Sequence, residues 1–212
     1  MWRSTNGAAW TRATDEALWS ARNEFLTLAH GDSLWVMGGT GGGDTVLNDI
    51  WSSTDGVAWD QITPTGEIWS PRRGHVGVVF DGKLWVLGGI GAGDALLNDV
   101  WYSENGVEWT QAPAHAGWPV RSGHAAAVHE GKIWVFGGQS SSQGSALRRY
   151  RDVWSSADGI TWTAEPHGSW SPRYKHRALS HDGQLWMIGG DERWSQTGDP
   201  AKMRDVWYLP RP

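Results

Sequence analysis

Cysteine is absent from the 212-residue chain. That excludes a disulfide framework and thiolate chemistry but leaves the compartment open, since a secreted repeat protein of this size needs no disulfide. An excess of positive charge is also missing. Eighteen Lys and Arg stand against 23 Asp and Glu, for a formal charge of -5, so a chain-wide footprint for nucleic acid or an anionic membrane is not expected. No apolar run approaches the roughly 20 residues of a membrane span. The opening Met1-Trp2-Arg3-Ser4 does not read as a signal peptide, and no segment carries helical periodicity.

What the chain has in abundance is tryptophan, 18 in all, and 17 of them fall into four columns of one repeat. The first column is Trp35, Trp85, Trp134 and Trp186, spaced by 50, 49 and 52 residues, each followed after two residues by a glycine pair. The second is Trp2, Trp51, Trp101, Trp154 and Trp207; the third is Trp10, Trp59, Trp109 and Trp162; the fourth is Trp19, Trp69, Trp118 and Trp170. Only Trp194 is left over. Turn residues divide each unit into four short strands. In the second unit Asp81-Gly82 links two inner strands and Asn105-Gly106 links two outer ones, because positive φ is tolerated best at such residues. A sheet of this size cannot bury both faces alone and must stack on its neighbours. A period near fifty therefore predicts an all-β chain of propeller blades, one domain over residues 1–212 with units of about 2–51, 51–101, 101–154 and 154–207.

The repeated features are Arg72-x-x-His75, Trp85 before Gly88-Gly89, Asp99-x-Trp101 and Trp109, with the same set at Arg121, His124, Trp134, Asp152, Trp154 and Trp162. They resemble the kelch repeat, over essentially the whole chain. Two departures stand out: Phe25 replaces the His of the other units, and four units are present where kelch propellers usually have six or seven blades. The Ser-x-Asp-Gly-x-x-Trp turn is similar to the Asp-box of sialidases but one residue shorter, and is a structural turn. The last unit stops after its third strand, Asp205 to Tyr208, whereas Ala8-Ala9-Trp10-Thr11 reads as a fourth strand without a blade. The expectation is a four-blade ring closed by that N-terminal strand, with a closed monomer preferred. The alternative is two chains exchanging ends to form an eight-blade ring, because Trp2 and Trp207 claim the same position.

Strand order places the Trp-x-x-Arg segments on the loop face, opposite the Asp-Gly turns. Trp19 to Arg22, Trp69 to Arg72, Trp118 to Arg121 and Trp170 to Arg173 thus recur around one mouth. Repetition in every blade favours architecture. Crowded guanidinium groups with no evident acidic partners favour an anion site. Two inserts break the symmetry on the same face, Gln139 to Arg151 and Asp191 to Trp194. There Arg149, Tyr150 and Trp194 are candidate contacts for an acidic or sugar ligand.

The resemblance implies a binding module, in which the loop face holds a protein or peptide; an anionic small molecule or glycan is the other ligand class. No nucleic acid, membrane, metal or cofactor is expected, and no catalytic residue is assigned. The Tyr–Cys link of galactose oxidase cannot form without cysteine, and the spaced Glu, Asp and His of nitrile-specifier-type proteins are not found. A sugar-acid mutarotase, with His124 or His176 as proton shuttle, is the enzymatic alternative.

Overall fold

The computed structural model describes residues 1–112, 114–140, 147–194 and 200–209, with backbone alone at 193–194, 200–202 and 209. A hairpin of β1 (Trp2–Arg3) and β2 (Thr11–Arg12) comes first. The first blade is β3 (Leu26–His30), β4 (Ser33–Thr40), β5 (Val46–Ser53) and β6 (Asp60–Ile62), and the second is β7 (Val76–Phe80), β8 (Lys83–Ile90), β9 (Leu96–Ser103) and β10 (Thr110–Gln111). The third blade starts with β11 (Ala125–His129) and β12 (Lys132–Phe136). A side hairpin of β13 (Gln139–Ser140) and β14 (Arg148–Arg149) follows, then β15 (Val153–Ser156) and β16 (Thr163–Glu165) complete the blade. The fourth has three strands, β17 (Arg177–His181), β18 (Gln184–Ile188) and, after a second side hairpin of β19 (Asp191–Trp194) and β20 (Pro200–Lys202), β21 (Val206–Leu209). All pairing between these strands is antiparallel.

The four blades are arranged as a propeller. Their inner strands β3, β7, β11 and β17 stack in chain order, and residues from all four, among them Leu26, Val76, Ala125 and Arg177, line a central channel of about 210 Å³. Strand alternation sends successive residues to opposite faces, so the second and third blades each supply half of two inter-blade cores and the first and fourth half of one. Trp35, Met37 and Ile50 of the first blade meet Leu84, Val86 and Trp101 of the second. Trp85, Leu87 and Val100 then meet Ile133 and Val135 of the third, whose Trp134 and Phe136 meet Leu185 and Met187 of the fourth.

Each outer turn is held by a short side-chain network. Around Asp55, the Gly56 N–H donates to Ser53 Oγ at 2.8 Å, and the Val57 and Ala58 N–H groups donate to Asp55 Oδ1 at 2.7 and 2.9 Å. The same set recurs around Asn105 and Asp158. The turns of the second and third blades also take the tryptophan of the preceding blade, Trp35 at Gly106 and Trp85 at Gly159. A Cβ on Gly159, at φ 73°, would lie 2.2 Å from the Trp85 ring. Replacing Gly159 with Ala is expected to destabilise the protein by about 2 to 4 kcal/mol, the sum of overpacking and a left-handed backbone penalty. Gly131, at φ 68° with open space around it, isolates the second part, and its Ala variant should lose only about 1 to 2 kcal/mol. Equal losses in urea unfolding would show that Trp85 does not press on the turn.

The expected closure does not occur. β2 pairs with β1, Trp2 opposite Arg12, and among the described residues β21 pairs only with β18. Trp2 and Trp207 compete for one register, and the local partner wins because it closes a loop of a few residues instead of one spanning the chain. Asn6 Oδ1 accepts from the Ala8 and Ala9 N–H groups at 2.9 Å and reinforces that local turn. The fourth and first inner strands do not stack as the other consecutive pairs do.

Candidate functional site

The four arginines are placed on the loop face as the topology requires, but they turn inward. Arg72 Nη1 and Nη2 donate to Asp99 Oδ1 and Oδ2 at 2.8 and 2.7 Å, Nη1 also to the Gly88 carbonyl at 3.0 Å, and Nε to the Ser70 carbonyl at 3.1 Å. Arg22 repeats this with Asp49 and Gly38, Arg121 with Asp152 and Gly137, and Arg173 with Asp205 and Gly189. Each aspartate takes a further bond from the tryptophan two residues on, at 2.6 to 2.8 Å. The side chains of Arg22, Arg72 and Arg121 are 0% exposed and that of Arg173 is 1% exposed.

This overturns the expectation that Arg22, Arg72, Arg121 and Arg173 meet a ligand. Bidentate pairing uses the guanidinium fork fully, and the like-charge repulsion that argued for an anion is offset within each blade. The aspartates are the acidic partners that were not evident in the sequence. The two bonds from Arg173 hold the Asp205 carboxyl down to about 2. At Asp49 and Asp152 burial pulls upward, yet bonds from Arg22 and Trp51, and from Arg121 and Trp154, keep both carboxyls below the ordinary value.

The fourth tryptophan column is corrected likewise. Trp69, Trp118 and Trp170 are buried and Trp19 is half-buried, packed edge-on against Trp109, Trp162, Trp207 and Trp59 at 5.9 to 6.0 Å between ring centroids. The guanidinium carbons of Arg22, Arg72 and Arg121 lie 5.5 to 5.9 Å above Trp19, Trp69 and Trp118. These rings wedge the blade together.

Of the symmetry-breaking inserts, residues 141–146 and the Trp194 side chain lie outside the described residues. Tyr150 is buried beneath Arg121, whose guanidinium carbon is 4.6 Å from the ring centroid. Arg149 is half-buried, donates to the Glu192 carbonyl and lies 4.9 Å over the Tyr174 ring. Both brace the loop face.

His75, His124 and His176 are buried, each facing the backbone of the preceding blade at Met37, Leu87 and Phe136. Each ring packs on the glycine pair of the preceding blade: the Cε1 of His75, His124 and His176 lies within 3.0 to 3.3 Å of a Cβ built at Gly38, Gly88 and Gly137. Burial, reinforced by the neighbouring Arg72 and Arg173, pushes His75 and His176 down to about 3, and burial with Arg121 drives His124 well below its ordinary value. As neutral, covered rings, His124 and His176 are not placed to shuttle a proton.

What does open to the mouth is the pair of positions between each Arg and its His. A cavity of about 710 Å³ is lined there by Glu24, Arg73, Gln139, Tyr174, Lys175 and Arg177, over a floor of Phe25, His75 and His124. Its rim is a backbone chain across all four blades. The Gly74 N–H donates to the Glu24 carbonyl at 3.0 Å, Gly123 to Gly74 at 3.0 Å and Lys175 to Gly123 at 2.7 Å. All four rim residues have φ between 52° and 58°, a conformation that aims successive amides along the rim and is unusual for Glu24 and Lys175. Arg73 pairs with Glu24 at 3.1 Å and Asp94 at 3.0 Å, and Lys175 with Glu24 at 3.5 Å. Arg177 is exposed. Among the described residues no three His, Asp or Glu converge as a metal site.

Residues 53–210 match the model of the KLHDC2/KLHL20/DRC7 Kelch-repeats domain. The chain belongs to the kelch-repeat family. No curated protein matches it. Kelch propellers act as protein-binding modules, and at that level a binding role follows for this one. The mouth residues do not stand out in the sequence because they are the positions that do not repeat. Asn23-Glu24, Arg73-Gly74, Ser122-Gly123 and Tyr174-Lys175 occupy equivalent places in four otherwise similar units, and that variability between invariant Arg and His or Phe was the available signal.

Proposed function

We propose that this kelch propeller is a non-catalytic module that binds an acidic peptide segment of a partner protein in the mouth cavity. The supporting observation is the charge around that 710 Å³ space. Among the described residues that line it, three are cationic, Arg73, Lys175 and Arg177, and one is a carboxylate, Glu24, which pairs with Arg73 and Lys175, while Asp94 pairs with Arg73 from outside the lining. A concave site of this size admits a few peptide residues. Local potential at contact distance outweighs the opposite net charge of the whole chain.

The test is titration of fluorescent peptides, one rich in Asp and Glu, one rich in Lys and one neutral, at low and high salt. The acidic peptide should bind best and weaken as salt rises. Changing Lys175 and Arg177 together to Glu should weaken it at least tenfold, with thermal stability kept, because Arg177 is exposed and Lys175 is more than half exposed. Equal binding of all three peptides, or binding indifferent to that double change, would refute the proposal.

A further inference from the structure

We propose that the outer face of the fourth blade is a docking surface for a second copy of this chain, which it meets head to tail at the free face of the first blade. Inside the chain, one kind of joint is used repeatedly. The tryptophan of β4 or β8 presses its ring onto the outer-turn glycine of the following blade, Trp35 onto Gly106 and Trp85 onto Gly159, so closely that a Cβ at either glycine would lie 2.2 to 2.3 Å from ring carbon. Both halves of that joint recur at the ends, each without its mate.

The projecting half is on the fourth blade. Val78, Leu87 and Val100 of the second blade are at most 6% exposed because the third blade covers them, whereas their counterparts Leu179, Ile188 and Val206 are 41%, 40% and 53% exposed. Trp186 and Tyr208 on this face already hold the arrangement of a completed joint. Their ring centroids are 5.2 Å apart at 37°, against 5.0 Å and 36° for Trp85 and Tyr102. An exposed apolar face with ordered aromatic rings marks an interaction surface.

The receiving half is on the first blade. Leu34 is 43% exposed, whereas its counterparts Leu84 and Ile133 are 0% exposed under the neighbouring blade. Gly56, the counterpart of Gly106 and Gly159, has only Met1 Sδ and Leu34 Cδ1 near its Cβ position, at 3.5 and 3.6 Å. Edge chemistry agrees. Among the described residues β21 pairs on one side only, and a free edge is a template for strand addition. A second copy is the occupant that carries this glycine turn and this leucine on one face, and a heterologous joint of this kind joins unlike faces and can close into a ring.

The experiment is multi-angle light scattering on the 212-residue chain and on two variants, Val206→Lys on the projecting face and Leu34→Lys on the receiving face. Both positions are exposed in the single chain, so circular dichroism should show both variants folded. The unmodified chain should run at twice its 23.4 kDa mass, and each variant alone should shift to the monomer or bind its like at least tenfold more weakly. Mixed one to one, the variants should form a mixed dimer, because the intact projecting face of the Leu34→Lys chain meets the intact receiving face of the Val206→Lys chain. A monomeric unmodified chain at tens of micromolar, or a dimer that either variant leaves untouched, or a mixture that stays monomeric, would each overturn the proposal. The last two outcomes would point to a like-with-like contact or to a different partner on this face.

Discussion

Replacing Arg72 with Ala is expected to destabilise the protein by about 3 to 5 kcal/mol, the range for removing one partner of a buried ion pair. The change would leave the Asp99 carboxylate, whose side chain is 13% exposed, without its bidentate donor and the Gly88 carbonyl without its bond from Nη1. Denaturant unfolding reads the loss. Arg72→Lys keeps the charge but cannot reach Asp99, Gly88 and Ser70 with one ammonium, so it should recover only part of the stability. A loss below about 1 kcal/mol would return the arginine column to the candidates for ligand contact.

Stability should fall steeply between pH 7 and pH 5, well above the range where carboxylates titrate. His75 and His176 are held at about 3 by burial and by the arginines beside them, and His124 well below its ordinary value, whereas the unfolded chain titrates each near 6.5. With folded values depressed, the unfolded state binds protons first as pH drops, and the neutral rings stabilise the fold only above about 6.5. His75 and His176 then each lose about 2 kcal/mol from pH 7 to pH 5, together about 4 kcal/mol, and His124 adds a loss of the same sign. The aspartates act lower. Asp205, at about 2, with Asp49 and Asp152 also depressed, contributes stability that is lost only below about pH 4. Urea midpoints across this range test the assignment, and His124→Phe, which places in the third blade the residue type that Phe25 supplies in the first, should flatten the slope. A flat profile from pH 7 to pH 5 would mean that the three rings keep access to water.

The tryptophan columns, the glycine pairs and the Asp-Gly or Asn-Gly turns were legible because each answers a local demand: a ring to fill a joint, a positive φ, a turn that satisfies its own amides. The same features placed the blades and the loop face correctly. The arginines were misread because their partners lie 27 to 32 residues downstream. The recurrence of Asp two residues before Trp51, Trp101, Trp154 and Trp207 was visible, but nothing local says which side chain its carboxylate reaches. Closure was misread for a similar reason. The sequence shows Trp2 and Trp207 as equal claimants, and only three-dimensional geometry ranks them.

Repetition in the chain by itself determined the architecture, since a pattern that recurs every fifty residues leaves few ways to bury its apolar faces other than stacking unit on unit. Tertiary structure alone decided what the charged and titratable residues do. Folding brings Arg72 onto Asp99 and buries His75 against the glycine pair of the first blade. It leaves Arg177 at the mouth and Tyr208 on an uncovered face. Such fates depend on distances between residues remote in the chain, and electrostatic and solvation energies respond to those distances and not to sequence order.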